Sequence, residues 1–154
     1  MIRVIGIGSP FGDDRVGWQV VDGLAGRVPA TVDLVTLDRP GAALINWMEH
    51  VDHLLLIDAI VSEAVPPGRI VRIDRFDTLS PPPGFTSHVL DLAQTIELAD
   101  ALGVRPRNVE LYGISIAQPG TTLPMPDAVD RVARQLTEAL AERLTRQNQA
   151  AAPD

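Results

Sequence analysis

The sequence of 154 residues contains no cysteine and no lysine, and each absence excludes a class of chemistry. Without cysteine there are no disulfide bonds, no thiolate metal ligands and no cysteine nucleophile. Without lysine there is no Schiff-base chemistry and no lysine for a phosphate-binding loop of the Walker type. Any metal must therefore be bound by oxygen and imidazole ligands, which suit hard or borderline divalent cations.

The sequence also lacks an excess of positive charge and any long apolar run. Its formal net charge of -7 argues against non-specific nucleic-acid binding, which requires a basic surface. There is no run of about 20 apolar residues that would predict a membrane span. The first residues are typical of a strand and not of a signal peptide, so we expect a cytoplasmic protein without nucleic-acid or membrane partners.

Short apolar segments alternate with amphipathic segments along the chain. The predicted strands cover 2–7, 31–37, 53–60, 68–74 and 108–116. The predicted helices begin near 14, 42, 88 and 126. This order predicts a three-layer α/β fold, a mainly parallel twisted sheet of about five strands with helices on both faces. The alternating pattern of 68–74 is typical of an edge strand, which can be antiparallel. We expect one domain over 1–146 and a flexible tail over 147–154.

A glycine-rich stretch, VIGIGSPFGDDRVG, begins in the first strand and continues to the first helix. Gly6, Gly8 and Gly12 have a spacing similar to that of a dinucleotide-binding loop. Asp38, which ends the second strand, stands where such a protein would bind ribose. The glycine spacing and Asp38 therefore indicate nucleotide binding as an alternative function.

Asp13 and Asp14 weigh against that possibility, because they occupy the helix N-terminus at which a pyrophosphate would bind. Two like charges about 4 Å apart repel by roughly 4 kcal/mol at a protein surface. Helix capping accounts for one acid, which we expect to be Asp13, since aspartate is a preferred N-cap residue. Asp14 needs a different explanation, and no nucleotide cofactor is expected.

Asp58 and His88 are expected at the same edge of the sheet as Asp14. Asp58 ends an apolar strand, and a charge there requires a partner or a metal, unless it forms hydrogen bonds that shape the turn. His88 follows a long proline-rich loop, SPPPGFTS, and opens a helix, a position that also suits an exposed histidine. His50 and His53 precede the third strand, and we expect them to be structural or solvated.

Ligands of parallel sheets bind at the carboxyl ends of the strands, and adjacent first and third strands would bring Asp14 and Asp58 together there. The loop before His88 is long enough to return its imidazole to that edge. Two carboxylates and one imidazole form an open coordination set for divalent Ni, Zn, Mn or Fe. The sequence therefore predicts a metal site with positions left for other ligands.

The ordered set of these motifs, from about residue 2 to residue 116, resembles the hydrogenase maturation endopeptidases. These enzymes remove a short C-terminal extension from the large subunit of nickel–iron hydrogenases once nickel is installed. The opening pattern of the family appears here as GIGSPFGDDRVG, and its second acid falls on Asp14. The strand-end aspartate of the family falls on Asp58, and its histidine before a helix falls on His88.

The resemblance implies an endopeptidase that processes a nickel-loaded hydrogenase large-subunit precursor. Asp14, Asp58 and His88 would form the catalytic site by recognising the nickel of the precursor. Either the metal polarises the scissile carbonyl or activates water, or an acid such as Asp13 or Asp38 assists the attack of water as a general base. A non-catalytic docking module of the same fold that depends on metal is the other alternative.

The resemblance also implies that the loop after the first strand binds the substrate, through Gly8, Ser9 and Gly12. Glycine lets another chain approach the backbone closely. Ser9 stands where the family usually has asparagine, and Arg15 stands where glycine is common. Ser9 would alter the hydrogen bonds of the turn, and Arg15 adds a cation next to the acids.

Overall fold

The computed structural model describes residues 1–76, 87–117 and 125–151, without the side chains of Asp13 and of residues 87–90. Within these ranges the strands are β1 (Ile2–Gly8), β2 (Val32–Asp38), β3 (His53–Ile60), β4 (Ile70–Ile73) and β5 (Asn108–Ser115). The α-helices are α1 (Val16–Leu24), α2 (Ser87–Ala101) and α3 (Asp127–Ala151). Two 3-10 segments cover Gly12–Arg15 and Gly41–Trp47.

The strands form one sheet in the order β2-β1-β3-β5-β4. All neighbouring pairs are parallel except β4 and β5, which are antiparallel. Helices α1 and α3 pack on one face, and α2 and the second 3-10 segment pack on the other. The predicted α/β class is confirmed, as is the prediction that the strand at 68–74 lies at an edge. Among the described residues, no helix is both long and apolar enough to span a membrane.

The central strand β3 contributes to both cores because it is covered on both faces. Leu55 and Ile57 pack with α1 and α3, whereas Leu54 and Leu56 pack on the side of α2. All four side chains are fully buried. A strand that is buried on both faces is apolar at every position, which explains the continuous apolar run in the sequence.

Two glycines allow α1 to lie directly on the sheet. A Cβ atom on Gly6 would lie 2.4 Å from the carbonyl oxygen of Gly17, and a Cβ atom on Gly17 would lie 2.5 Å from the carbonyl oxygens of Ile7 and Ile57. Any side chain at either position would push the helix away from β1 and β3. This close packing fixes the start of α1, and the turn before it, at the carboxyl edge of the sheet.

Helix α1 begins later than the sequence predicts. The helix expected from about residue 14 begins at Val16, because Gly12–Arg15 forms a 3-10 turn. Arg15 occupies the N-cap position and forms no capping hydrogen bond through its side chain. The expected cap position of Asp13 is therefore wrong, while its side chain lies outside the described residues.

Two other predicted segments also differ in type or length. The helix predicted to begin near residue 42 is a 3-10 helix over Gly41–Trp47. Helix α3 continues past residue 146 to Ala151, and Thr31 Oγ1 donates a hydrogen bond to Asn148 Oδ1 at 2.8 Å. The described part of the expected tail is therefore helical. Most of the proline-rich loop, residues 77–86, lies outside the described residues.

A buried carboxylate, Glu110, organises the end of the sheet where β3 and β5 begin. Glu110 is 5% exposed and accepts hydrogen bonds from Arg143 at 2.5 and 2.8 Å. Its carboxylate is also 2.8 Å from His53 Nε2 and accepts a 3.1 Å bond from Arg72 Nε. His53 therefore has the expected structural role. His50, in contrast, is 87% exposed, as expected for a solvated residue.

The ionised form of Glu110 is favoured by its partners. Burial alone would raise its pKa, but the hydrogen bonds from Arg143, His53 and Arg72 outweigh burial and hold the pKa of Glu110 well below its usual range. A lowered carboxyl pKa contributes stability at pH values above the unfolded-state pKa, and this contribution is lost as the pH falls through the folded-state pKa.

We predict that Glu110→Gln lowers the free energy of unfolding by roughly 1–3 kcal/mol at pH 7, because Arg143 loses a charged partner in a buried setting. Between about pH 4.5 and pH 2 the stability of the parent protein should fall more steeply than that of the variant. Denaturant unfolding across this range measures both effects.

Glu138→Gln is the matched control, because Glu138 is 63% exposed and pairs with Arg27 at 2.7 Å on the surface. This variant should change stability little, since exposed ion pairs contribute little. Equal losses in the two variants would contradict this prediction, because the buried network would then stabilise the fold no more than an exposed ion pair does.

Candidate active site

The carboxyl edge of the sheet brings together acids that are far apart in the sequence. Asp38 ends β2 and pairs in register with Gly8, the last residue of β1. Asp58 lies near the end of β3, which is the other neighbour of β1. Asp14 lies in the 3-10 turn that follows β1. Because β1 and β3 are neighbours, Asp14 and Asp58 lie at the same edge of the sheet.

The turn that contains Asp14 is folded tightly against the end of β1. The N–H of Asp14 donates to the carbonyl of Phe11 at 3.1 Å, and the N–H of Ser9 donates to the carbonyl of Asp14 at 3.2 Å. A Cβ atom on Gly8 would lie 2.6 Å from the carbonyl oxygen of Asp14. Gly12 has a φ of 56°, a left-handed conformation that favours glycine. These contacts fix the position of the Asp14 backbone.

The side chain of Ser9 is directed into this turn. Its hydroxyl donates a hydrogen bond to Asp14 Oδ2, and the residue is only 1% exposed. Contacts of Gly8, Ser9 and Gly12 with a substrate stay predictions. The hydroxyl of Ser9 is already engaged with Asp14.

Asp58 is destabilised as an anion. Burial of its carboxyl raises its pKa well above the ordinary value, and the negative charge of Asp14 raises this pKa further. A hydrogen bond from the backbone of Ala59 acts in the opposite direction but is outweighed. Asp14 and Asp58 therefore lie close enough for their charges to interact. A cation bound between them would remove the repulsion.

His88 is the second residue of α2, and its side chain lies outside the described residues. Helix α2 ends at Ala101, and β5 begins seven residues later at the amino edge of the sheet. The 15 residues of α2 span about 22 Å, which is long enough to reach from that edge to the opposite one. The first turn of α2 therefore lies toward the carboxyl edge. Among the described side chains there is no group of three or more acids and histidines that could bind a metal ion. The contribution of His88 to a metal site stays a prediction.

Arg39 is a residue of this edge that the sequence reasoning did not identify. Its Nε lies 2.7 Å from Asp38 Oδ1, and its N–H donates to the carbonyl of Gly8 at 3.2 Å. The hydrogen bond and the charge of Asp38, followed by the charge of Asp14, raise the pKa of Arg39. Its φ of 42° is unusual for a residue other than glycine. In the sequence, the feature that points to this residue is an acid at the end of a predicted strand, Asp38, followed directly by arginine.

Comparison with protein families gives one match that covers most of the chain. The family described as hydrogenase maturation protease, HycI, matches residues 19–143. The matched range contains Asp38, Asp58 and His88 but begins after the turn that contains Asp14.

The proteins that are similar to the chain include two curated relatives and a solved structure. Hydrogenase expression/formation protein HupD of Bradyrhizobium diazoefficiens is 31% identical over 117 residues, which cover 73% of this chain and 60% of HupD. Hydrogenase 2 maturation protease of Escherichia coli is 30% identical over 122 residues, covering 73% of this chain and 71% of the relative. The structure of the hydrogenase maturating endopeptidase HybD from E. coli has a TM-score of 0.73 at 25% identity, covering 95% of this chain and 93% of HybD.

The raised pKa of Asp58 leads to a prediction about stability. A raised carboxyl pKa gives stability at low pH that is lost as the pH rises through the folded-state pKa. Asp58→Asn removes this loss, so it should raise the melting temperature at pH 7 to 8 by about 2–4 °C, which corresponds to about 1 kcal/mol. The difference from the parent should vanish near pH 4.

Thermal unfolding followed by circular dichroism in the presence of a chelator measures this effect without bound metal. Asp100→Asn is a suitable control, because Asp100 is an exposed residue of α2. If Asp58→Asn is less stable than the parent at pH 8, the ionised carboxylate of Asp58 has favourable partners and the prediction is wrong.

Proposed function

Because the chain belongs to the hydrogenase maturation protease family, we propose that it is an endopeptidase acting on a hydrogenase large-subunit precursor. Its reaction would remove a C-terminal extension once nickel is installed in the precursor. One observation supports this function most directly: Asp14 and Asp58 lie at the carboxyl edge of adjacent strands, where burial and then the charge of Asp14 raise the pKa of Asp58. Such a pair is costly in the free protein and suited to a cationic substrate.

Nickel is part of the substrate in this proposal. Asp14, Asp58 and His88 supply two carboxylate oxygens and an imidazole nitrogen, which are suitable ligands for Ni²⁺. Three ligands leave coordination positions for groups of the precursor. The enzyme would therefore recognise a metal that the precursor has already bound, and a precursor without nickel would lack the cation that the two acids need.

The raised pKa of Asp58 couples binding to proton release. A nearby cation favours the ionised form of a carboxyl group, so any proton held by Asp58 is lost when the metal binds. Affinity for the nickel-loaded precursor would therefore increase with pH through the range in which Asp58 ionises. The charge of Asp14 extends this range upward, since it disfavours ionisation of Asp58.

Hydrolysis of the amide bond requires a water molecule and a group that accepts its proton. Asp38 is exposed at the end of β2, where solvent can reach it, and Asp13 lies in the same turn as Asp14. Either acid could act as general base while nickel holds the peptide in place. The alternative is that the metal polarises the scissile carbonyl or activates the water itself.

Replacement of the three ligands tests the proposed site. Asp14→Asn, Asp58→Asn and His88→Ala should each reduce cleavage of the nickel-loaded precursor at least about 100-fold, because each removes a metal contact. Loss of the extension is measured by mass spectrometry. Asp100→Asn and His50→Ala are matched controls that change exposed residues of the same types and should cleave normally. Undiminished cleavage by all three ligand variants would refute the site.

The same assay separates the other two functions. A docking module would bind the nickel-loaded precursor without shortening it. A nucleotide-binding protein would be stabilised against heat by NAD, FAD or ATP, since a specific ligand raises stability by mass action. We expect cleavage, dependence on nickel in the precursor and no shift with these nucleotides.

Phe11 is proposed as an apolar contact for the precursor beside the metal. The residue is 47% exposed, and its carbonyl accepts the N–H of Asp14, which fixes it close to the acids. Aromatic anchors of this kind are common in protein interfaces. Phe11→Ser should therefore raise KM for the precursor about tenfold, equivalent to roughly 1.4 kcal/mol, with little change in kcat.

Leu102→Ser is the control for this effect. Leu102 is 60% exposed and follows the end of α2, which lies toward the opposite edge of the sheet. Its replacement should leave KM unchanged. Equal effects of the two variants on KM would exclude a specific contact at Phe11.

A further inference from the structure

We infer that Ser9 is a positioning residue that orients the carboxylate of Asp14 for the metal. This inference rests on the proposed function and deepens it, because it concerns a residue that acts through Asp14. The hydroxyl of Ser9 donates to Asp14 Oδ2, while Ser9 itself is 1% exposed and does not face solvent. A direct contact between this hydroxyl and a large substrate would require the turn to open.

The contacts of Ser9 differ from those of the other buried serine and threonine residues in the described part of the chain. Thr137 donates to the carbonyl of Ala133 at 2.8 Å, and Ser115 donates to the carbonyl of Pro66 at 2.6 Å. These bonds satisfy backbone groups in the interior. Ser9 donates instead to a side-chain carboxylate at the candidate site. Its hydroxyl therefore acts on the part of Asp14 that would contact a cation.

One hydrogen bond distinguishes the two oxygens of the Asp14 carboxylate. A carboxylate that is not held can rotate about its side-chain torsions, and each rotation moves its charge relative to Asp58. The donor at Oδ2 restrains this rotation, and Oδ1 accepts no hydrogen bond from the described residues, so it is available to bind a metal. Hydrogen bonds to ligating carboxylates commonly change metal affinity by about 10- to 100-fold.

The backbone of the turn does not depend on the Ser9 hydroxyl. The N–H of Ser9 donates to the carbonyl of Asp14, and the N–H of Asp14 donates to the carbonyl of Phe11. Neither bond involves the hydroxyl, so we expect both to be kept when the side chain is shortened to a methyl group. Ser9→Ala therefore removes the bond to the carboxylate while the fold of the turn is kept. The variant separates orientation of Asp14 from stability of the loop.

The experiment compares the binding of nickel-loaded and nickel-free precursor to the parent, Ser9→Ala, Ser9→Thr and Thr137→Ala by surface plasmon resonance. Ser9→Ala should bind the nickel-loaded precursor about 10- to 100-fold more weakly and the nickel-free precursor as the parent does. Ser9→Thr keeps the hydroxyl and should restore part of the difference. Thr137→Ala removes a buried hydroxyl in α3 and should not alter the ratio of the two affinities.

Three outcomes overturn the inference, and they can be told apart. If the parent distinguishes the two precursors and Ser9→Ala does so equally well, the positioning role is refuted while the proposed function stands. If Ser9→Ala loses affinity for both precursors by the same factor, Ser9 has only a structural role. A parent that does not distinguish the precursors at all refutes the proposed function and this inference together. Melting temperatures of all variants identify any that are unfolded.

Discussion

The candidate site depends on the proximity of Asp14 and Asp58 at the carboxyl edge of the sheet, where the charge of Asp14 adds to the effect of burial on the pKa of Asp58. Burial and a like charge both disfavour the ionised form of Asp58, and the described part of the chain offers it only one backbone hydrogen bond in compensation. The packing of α1 on the sheet through Gly6 and Gly17 keeps Asp14 in place despite this cost. The fold thus holds two carboxyl groups at one edge, an arrangement that would suit the cation of the proposed substrate.

At the amino end of the sheet, another carboxylate contributes to the stability of the fold. Glu110 is buried, but Arg143, Arg72 and His53 surround it and lower its pKa. The two acids have opposite shifts because one is fully compensated and the other is not. Carboxyl groups without compensating partners are typical of functional sites, because the arrangement that binding or catalysis requires there often lowers stability.

Strands and layers could be predicted from the sequence more reliably than turns. The bounds of β3 agree with its apolar run, and the edge position of β4 follows from its alternating pattern. The start of α1 could not be predicted, because the aspartates resemble a cap, whereas backbone hydrogen bonds of Asp14 with Ser9 and Phe11 stabilise a 3-10 turn. The left-handed conformation of Arg39 has no signal in the sequence, since this residue type rarely adopts it.

The sequence by itself determined the class of the fold and the types of ligand available, because hydrophobic periodicity defines strands and helices and the lack of cysteine leaves oxygen and imidazole. It also determined that acids stand at strand ends, where a parallel sheet binds ligands. Only the tertiary structure decided that β1 and β3 are neighbours, that the charge of Asp14 acts on Asp58, and that Ser9 is turned inward. The reason is physical: strand order, charge interaction and burial depend on distances between residues that the order of residues along the chain does not specify.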